Sequence, residues 1–338
     1  MLSRVAESIY WMQRYRERAE NIARLIDVNL FLNIDAPGDD RQQWEPSVVT
    51  TGDYELFESL YGKPTEASAL QFLTFDERNP NSILNCVSMS RENARSIREA
   101  IPHEMWHEIN LLYLRIKEAA RAPKKALKNS FEFYNDIRRS CQLFTGIMDT
   151  TLSHDEVWHF GRIGNLLERA DQTSRILDAK YYILLPSVEH VGSPYDDILW
   201  AALLKSVGGL HMYRRSWNEI RHSYVVDFMI LNPVFPRAIH SCFRRAQESM
   251  RIVGSNSNDG AEEGQPYRLL KQACSELDST HVYDIVKFGL HEFLDQIQTK
   301  ISEIHTSMCN TYFSPNSYST LDAGTAGRSA GDAGSVQS

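Results

Sequence analysis

WMQRYRERAENIARLIDV, Trp11–Val28, and RIGNLLERADQTSRILDA, Arg162–Ala179, align without a gap. Glu17 stands over Glu168, Arg18 over Arg169, Ala19 over Ala170, Glu20 over Asp171, Arg24 over Arg175 and Asp27 over Asp178. The apolar register is kept as well, with Ile9 over Phe160, Met12 over Ile163 and Ile26 over Leu177. Around the first copy, apolar residues recur at Val5, Ile9, Met12, Ala19, Ile22, Ala23, Ile26 and Leu30, the stripe of an amphipathic helix. Trp11, Ile22 and Leu25 on the flank beside Arg18 widen it past half the circumference, which predicts a central helix. Two such helices, 151 residues apart, predict two related halves, about 1–150 and 151–313, packed around a shared centre.

Outward from these segments the period stays helical. Helices are expected at about Asp53–Tyr61, Thr65–Phe75, Ser82–Ala100 with Ser82 or Asn81 as cap, Pro102–Ala120 and Lys124–Thr150. The second long helix should run from His154 to Leu184, opened by Ser153 with Glu156 as a capping box and stopped by Pro186. Further helices are expected at Tyr195–Ser206, Leu210–Arg221, Ser223–Leu231, Phe235–Val253, Gln265–Leu277 and Val282–Phe313, with Gly208 and Gly209 marking a break or close contact. Asp35–Asp40 and Ser255–Gly264 read as loops, and 314–338 as a disordered tail poor in large apolar residues. With no run of period-two strands, the fold class is all-α: an elongated multi-helix bundle forming one domain over 1–313.

The 338 residues are 42% hydrophobic and 24% charged, the balance of a globular chain with ample core. Lys and Arg number 36 against 44 Asp and Glu, a net charge of −8 that argues against nucleic acid as a partner. No apolar run reaches the length of a membrane span, and the charged start lacks a signal-peptide core, so a cytoplasmic setting without membrane attachment is expected. Cys86, Cys141, Cys242, Cys274 and Cys309 form no C-x-x-C pair and suit reduced thiols.

On a helical wheel Glu20 and Asp27 border the apolar stripe, while Glu17 and Arg24 fall one row outward. Glu20 with Arg24 and Asp171 with Arg175 are i, i+4 pairs in the favourable acid-first order. These are either ordinary half-exposed ion pairs or two sets of groups brought to one polar cleft.

At ERAENIAR (Glu17–Arg24) and ERADQTSR (Glu168–Arg175) the chain resembles the bacterial alpha-E family, all-helical proteins named for a Glu-Arg motif. The resemblance extends from Met1 to about Phe313. It includes the opening MLSRVAESIYWMQRYRERAEN, SRENARSIREAIPHEMWHEIN (Ser90–Asn110), KSVGGLHMYRRSW (Lys205–Trp217) and VVDFMILNPVFPRAI (Val225–Ile239). Gln13, Arg16 and Asn165 depart from the Gly, Leu and Arg expected there. The resemblance implies partnership with a circularly permuted ATP-grasp protein, with transglutaminase-like or Ntn-hydrolase-like proteins as further associates, in ATP-dependent peptide ligation or modification. It implies no cofactor for this chain alone, ATP and Mg²⁺ entering through the partner.

Other constellations carry less. His103 and His107 in HEMWH match a zinc-protease spacing, but Pro102 puts His103 in the first helical turn and no third ligand follows. The E-x-x-E/D sets (Glu17 with Glu20, Glu168 with Asp171) lack the histidines of di-metal bundles, and Arg18 and Arg169 would repel a cation, so no metal is expected. Nucleophile elbow, Walker loop and dinucleotide turn are absent. Arginines Arg91, Arg95, Arg214, Arg215, Arg237, Arg244 and Arg245 offer planar forks for carboxylate or phosphate. The candidate ligand-binding set is Glu17, Arg18, Glu20, Asn21, Arg24, Arg91, Asn93, Arg95, Glu168, Arg169, Asp171, Arg175, Arg214 and Arg215. Three expectations follow: an accessory protein of an ATP-grasp ligase, a structural scaffold without chemistry, or an independent ligase or transferase using the Glu/Arg cleft.

Overall fold

The computed structural model describes residues 2–35, 40–184, 194–255 and 264–314. Its helices are α1 (Ser3–Asp35), α2 (Asp40–Thr51), α3 (Tyr54–Tyr61), α4 (Glu66–Thr74), α5 (Ile83–Ser96), α6 (His103–Arg121), α7 (Pro123–Ala126), α8 (Ser130–Thr151), α9 (Glu156–Leu184), α10 (Pro194–Ser206), α11 (Leu210–Ser216), α12 (His222–Ile230), α13 (Ile239–Ser255), α14 (Gln265–Ser279), α15 (Val282–Phe288) and α16 (Leu290–Met308). No strand occurs among the described residues, so the fold is all-α. The expected Asp35–Asp40 and Ser255–Gly264 loops, the stop at Pro186 and the tail lie largely outside the described residues.

α1 is 33 residues long without Gly or Pro, which lets the ladder run unbroken. Its stripe positions are buried, and so are Tyr10, Leu25 and Val28 on other faces, as befits a helix enclosed on most sides. Its main neighbour is α9. Gly164 makes their contact possible: a Cβ there would stand 2.4 Å from the backbone oxygen of Tyr10. Any side chain at this point would push the two backbones apart.

The remaining helices pack on this pair in matched fashion. α5 and α8 lie on α1, and α13 and α16 lie on α9. α6 packs on α5 and α8, and α14 packs on α13 and α16. α2 crosses onto α9 and α10 onto α1.

Four local expectations are corrected. Helix α2 escaped detection because Pro46 lies inside it and its β-branched tail shows almost no amphipathic pattern, yet Trp44 and Val48 are buried. The start of α9 is capped by Asp155 and not by Ser153: the N–H groups of Val157 and Trp158 donate to Asp155 Oδ1 at 2.9 and 3.5 Å. The long run after Thr280 is broken at Gly289, whose φ of 116° is closed to other residues, giving α15 and α16 followed by a π-turn at Cys309–Phe313. The run expected from Lys124 is interrupted too, with α8 starting only at Ser130 after α7 and a 3₁₀ turn.

Other local signals hold. Ser82 Oγ accepts from the N–H of Asn85 at 3.2 Å and caps α5. Gly208 ends α10 at φ 66°, and a Cβ on Gly209 would meet Phe228 at 2.9 Å, so the pair is both break and close contact. All five cysteines are free thiols. No described helix is long and apolar enough to cross a membrane.

Candidate functional site

Consecutive residues on a helix point about 100° apart, and here Glu17 and Arg18, like Glu168 and Arg169, do not pair with each other; each reaches to the neighbouring helix. Arg169 of α9 donates to Glu17 of α1 through Nε at 2.8 Å and Nη2 at 2.9 Å. Arg18 of α1 donates to Glu168 of α9 through Nε at 2.6 Å and Nη2 at 3.1 Å. Exchanging the two helices maps one pair onto the other. Both are two-pronged charge-assisted pairs, the strongest geometry an arginine offers a carboxylate.

Neither carboxylate reaches solvent: Glu17 and Glu168 are both 0% exposed. The wheel had put Glu17 outside the apolar stripe, but α9 and the segment before α13 cover that row, making it the most enclosed acid of α1. Such burial is tolerable only if every lone pair finds a donor. Glu168 also accepts from Arg14 Nε at 2.9 Å and Gln172 Nε2 at 3.1 Å. Glu17 also accepts from Asn165 Nδ2 at 2.9 Å, Arg237 Nη1 at 2.9 Å, Arg16 Nη2 at 3.2 Å and Asn21 Nδ2 at 3.3 Å.

Burial by itself would favour the protonated acids. At Glu168 it is outweighed by Arg18 and Arg14, which bring the carboxyl down to about 2. At Glu17 the same burial is outweighed by Arg169 and Arg237, and the carboxyl is held well below its ordinary range. Both acids are therefore anions, and neither is poised as a proton acceptor near neutral pH.

A second layer flanks the cross-pair. Glu20 accepts from Arg24 Nη2 at 2.6 Å, Arg237 Nη2 at 2.8 Å and Arg16 Nη1 at 3.3 Å. Asp171 accepts from Arg175 Nε at 2.9 Å. Arg138 of α8 donates to Asp27, and His291 of α16 sits 2.8 Å from Asp178. Arg18 Nη1 donates to Asn81 at 2.5 Å, and Asn81 Nδ2 donates to Asp53 at 2.9 Å.

Of the residues singled out in the sequence, Glu17, Arg18, Glu20, Asn21, Arg24, Glu168, Arg169, Asp171 and Arg175 thus gather at the α1–α9 crossing, with Arg237 joining from the loop before α13. Arg91, Asn93 and Arg95 belong to a separate surface of α5. There Arg91 donates to Asn110 at 2.7 Å and lies over the Tyr113 ring, Arg95 pairs with Glu92, and Asn93 bonds the Met89 carbonyl. Arg214 and Arg215 are exposed on α11, where Arg214 borders an open cavity of about 480 Å³ with Tyr213, Trp217 and Asp197. Arg244 and Arg245 lie on the outward side of α13. His103 and His107 are both exposed, and no group of three metal-ligating side chains occurs among the described residues.

Arg14, Arg16, Asn165, Gln172 and Asn81 were missed as members. One signal for two of them was present: Arg14 aligns with Asn165, and both donate to the opposite glutamate. The class of protein so defined is an α-helical domain whose two central helices are cross-tied through reciprocal Glu-Arg pairs. The chain belongs to the Alpha-E family, described as a predicted alpha-helical domain with a conserved ER motif, whose model matches residues 1–313. It is similar to an uncharacterized protein of Mycobacterium bovis (22% identical) and one of Mycobacterium tuberculosis (21% identical), in each case over 90% of this chain and 35% of the relative. The chain therefore spans about a third of the length of these relatives. No solved structure matches it.

Proposed function

We propose that this chain is a helical accessory module that acts with an ATP-grasp ligase in ATP-dependent peptide ligation or modification, and that its Glu-Arg cross-pair is the internal tie of that module. The observation that carries the non-catalytic role is the complete enclosure and saturation of Glu17 and Glu168. Carboxylates that are buried, ionised and bonded on every side have no free lone pair for a substrate. The matched packing of α5, α6 and α8 about α1 and of α13, α14 and α16 about α9 supports two related halves, about 1–150 and 151–313, joined by this tie.

Partnership is supported by the relatives, in which the matching region is only about a third of a longer polypeptide, and by the family resemblance. ATP and Mg²⁺ belong to the ligase, a circularly permuted ATP-grasp protein, and a transglutaminase-like protein is a further candidate associate, in the cytoplasm. The test is ATP turnover and product mass for the ligase with amino-acid mixtures, with and without this chain. A new amide product, or a rate that rises with added chain, is expected. An ATP-grasp protein that forms the same product at the same rate without it, and does not bind it, contradicts the proposal.

A further inference from the structure

The cavity that Arg214 borders has a volume of about 480 Å³, the size of a small-molecule site, and one side of it is built to hold its shape. Its walls are α10, through Asp197, Ile198 and Ala201, and the turn from α11 to α12, through Trp217, Asn218 and Ile220. Buried Tyr213 pins that turn: its hydroxyl donates to the Glu219 carbonyl at 2.9 Å and accepts from the Arg221 N–H at 3.3 Å. Trp217 stacks on the Tyr213 ring with centroids 5.1 Å apart and meets Phe228 edge to face at 5.8 Å, so the indole is fixed as well. A wall that is already ordered costs a ligand little to engage.

The charged groups of this cavity are of both signs. Asp197 and Arg214 line the same space, are exposed, and make no side-chain hydrogen bond or ion pair among the described residues, not even with each other. Glu219 is already held by Arg221 at 2.7 Å. A purely anionic ligand meets Asp197 and Glu219, and a purely cationic one meets Arg214, so ligands of a single sign are disfavoured. The remaining lining, chiefly Ile198, Ala201, Ile220 and the Trp217 indole, is apolar.

We propose that this cavity binds a zwitterion with an apolar side chain, an amino acid or a short peptide. The Arg214 guanidinium offers its fork to the ligand carboxylate, Asp197 accepts from the ligand ammonium group, and the apolar lining takes the side chain. The site deepens the accessory role proposed above and rests on it for its purpose, naming amino acids or peptides as what the module holds. Binding itself is a property of this chain alone, so its test stands apart from the ligase assay, and either can fail without the other.

Isothermal titration of the full chain at fixed ionic strength uses leucine, leucyl-leucine, N-acetylleucine and leucinamide. One saturable site for leucine or leucyl-leucine is expected, and the stronger of these two arms shows whether a free amino acid or a peptide is preferred. N-acetylleucine and leucinamide each lack one charge and should bind at least about tenfold more weakly, as loss of a charged hydrogen bond does. Arg214→Gln and Asp197→Asn should each weaken the zwitterion by a similar factor; both side chains are exposed, so the fold is kept, and circular dichroism checks it. Lys205→Gln, an exposed change on α10 outside the cavity, should leave binding as it was. Absence of saturable binding by both leucine and leucyl-leucine, wild-type affinity in the two folded variants, or N-acetylleucine or leucinamide binding as tightly as the zwitterions would each overturn the assignment.

Discussion

Glu17 and Glu168 occupy equivalent places on crossing helices, are equally enclosed, and receive the same two-pronged arginine from the opposite side, yet their surroundings diverge. At Glu168 the auxiliary donor is Arg14, from the opposite helix; at Glu17 the matching position is the neutral Asn165, and the extra charge comes from Arg16 on its own helix and from Arg237, 220 residues away. The difference teaches that the pair itself and its environment answer to separate requirements. A reciprocal pair is what joins α1 to α9. The added cations at one end, Arg16 and Arg237, each hold Glu17 together with a second buried acid, Glu20.

The largest way to break the comparison is to remove one member of the pair. Arg18→Met and Arg169→Met should each lower stability by about 3 kcal/mol, the low end for breaking a buried pair, because each removes both prongs from a buried carboxylate that keeps its other arginines, Arg14 at Glu168 and Arg237 and Arg16 at Glu17; urea melts followed by circular dichroism measure it. A double-mutant cycle of Arg169 with Glu17 should show strong coupling, whereas Arg169 with Glu168 should come closer to additivity. Gly164→Ala comes next, at about 1–3 kcal/mol, since its methyl group must displace the Tyr10 backbone.

Acid sharpens the contrast without mutation. Glu168 has a folded pKa of about 2 against roughly 4.3 in an unfolded chain, so its contribution is whole above the unfolded value and is lost as pH falls toward 2. Glu17, lowered likewise, adds to the same acid limb. A melting series from pH 5 to pH 2 should fall steadily, and a flat profile would show that the pair is not ionised.

The smallest effect should come from the arginines that stand apart. Arg95→Ala breaks an exposed pair with Glu92, 64% and 40% exposed, and should change stability by less than about 0.5 kcal/mol. If it matched Arg18→Met, the division between central and peripheral arginines would be wrong.

How much of this was legible depends on range. The stripe from Val5 to Leu30 and its echo at Phe160 to Leu177 are local patterns, and they suffice for the two central helices. α2 was illegible because Pro46 and a β-branched tail hide a helix held by the burial of Trp44 and Val48. Gly289 falls inside the helix expected over Val282–Phe313, and only its positive φ reveals the break. The Glu-Arg motif pointed to the right residues, but a wheel drawn for one helix could not show that Glu17 lies under a second. Arg237 was one of several dispersed arginines, and only the tertiary fold distinguishes it from Arg214 or Arg244.

The cross-tie also has a consequence for synthesis. Glu17 emerges from the ribosome well before Arg169, and Arg18 well before Glu168, with about 150 residues to be made between them. During that interval Glu17 has Arg16 and Asn21 of its own helix but lacks Arg169, Asn165 and Arg237. Native packing of α1 must therefore await α9, a delay of roughly 8 to 30 seconds at ordinary elongation rates of about 5–20 residues per second. Chaperone capture or cleavage of this protein should concentrate in that window, and a ribosome stalled before α9 should hold a nascent chain far more sensitive to protease than one stalled after it.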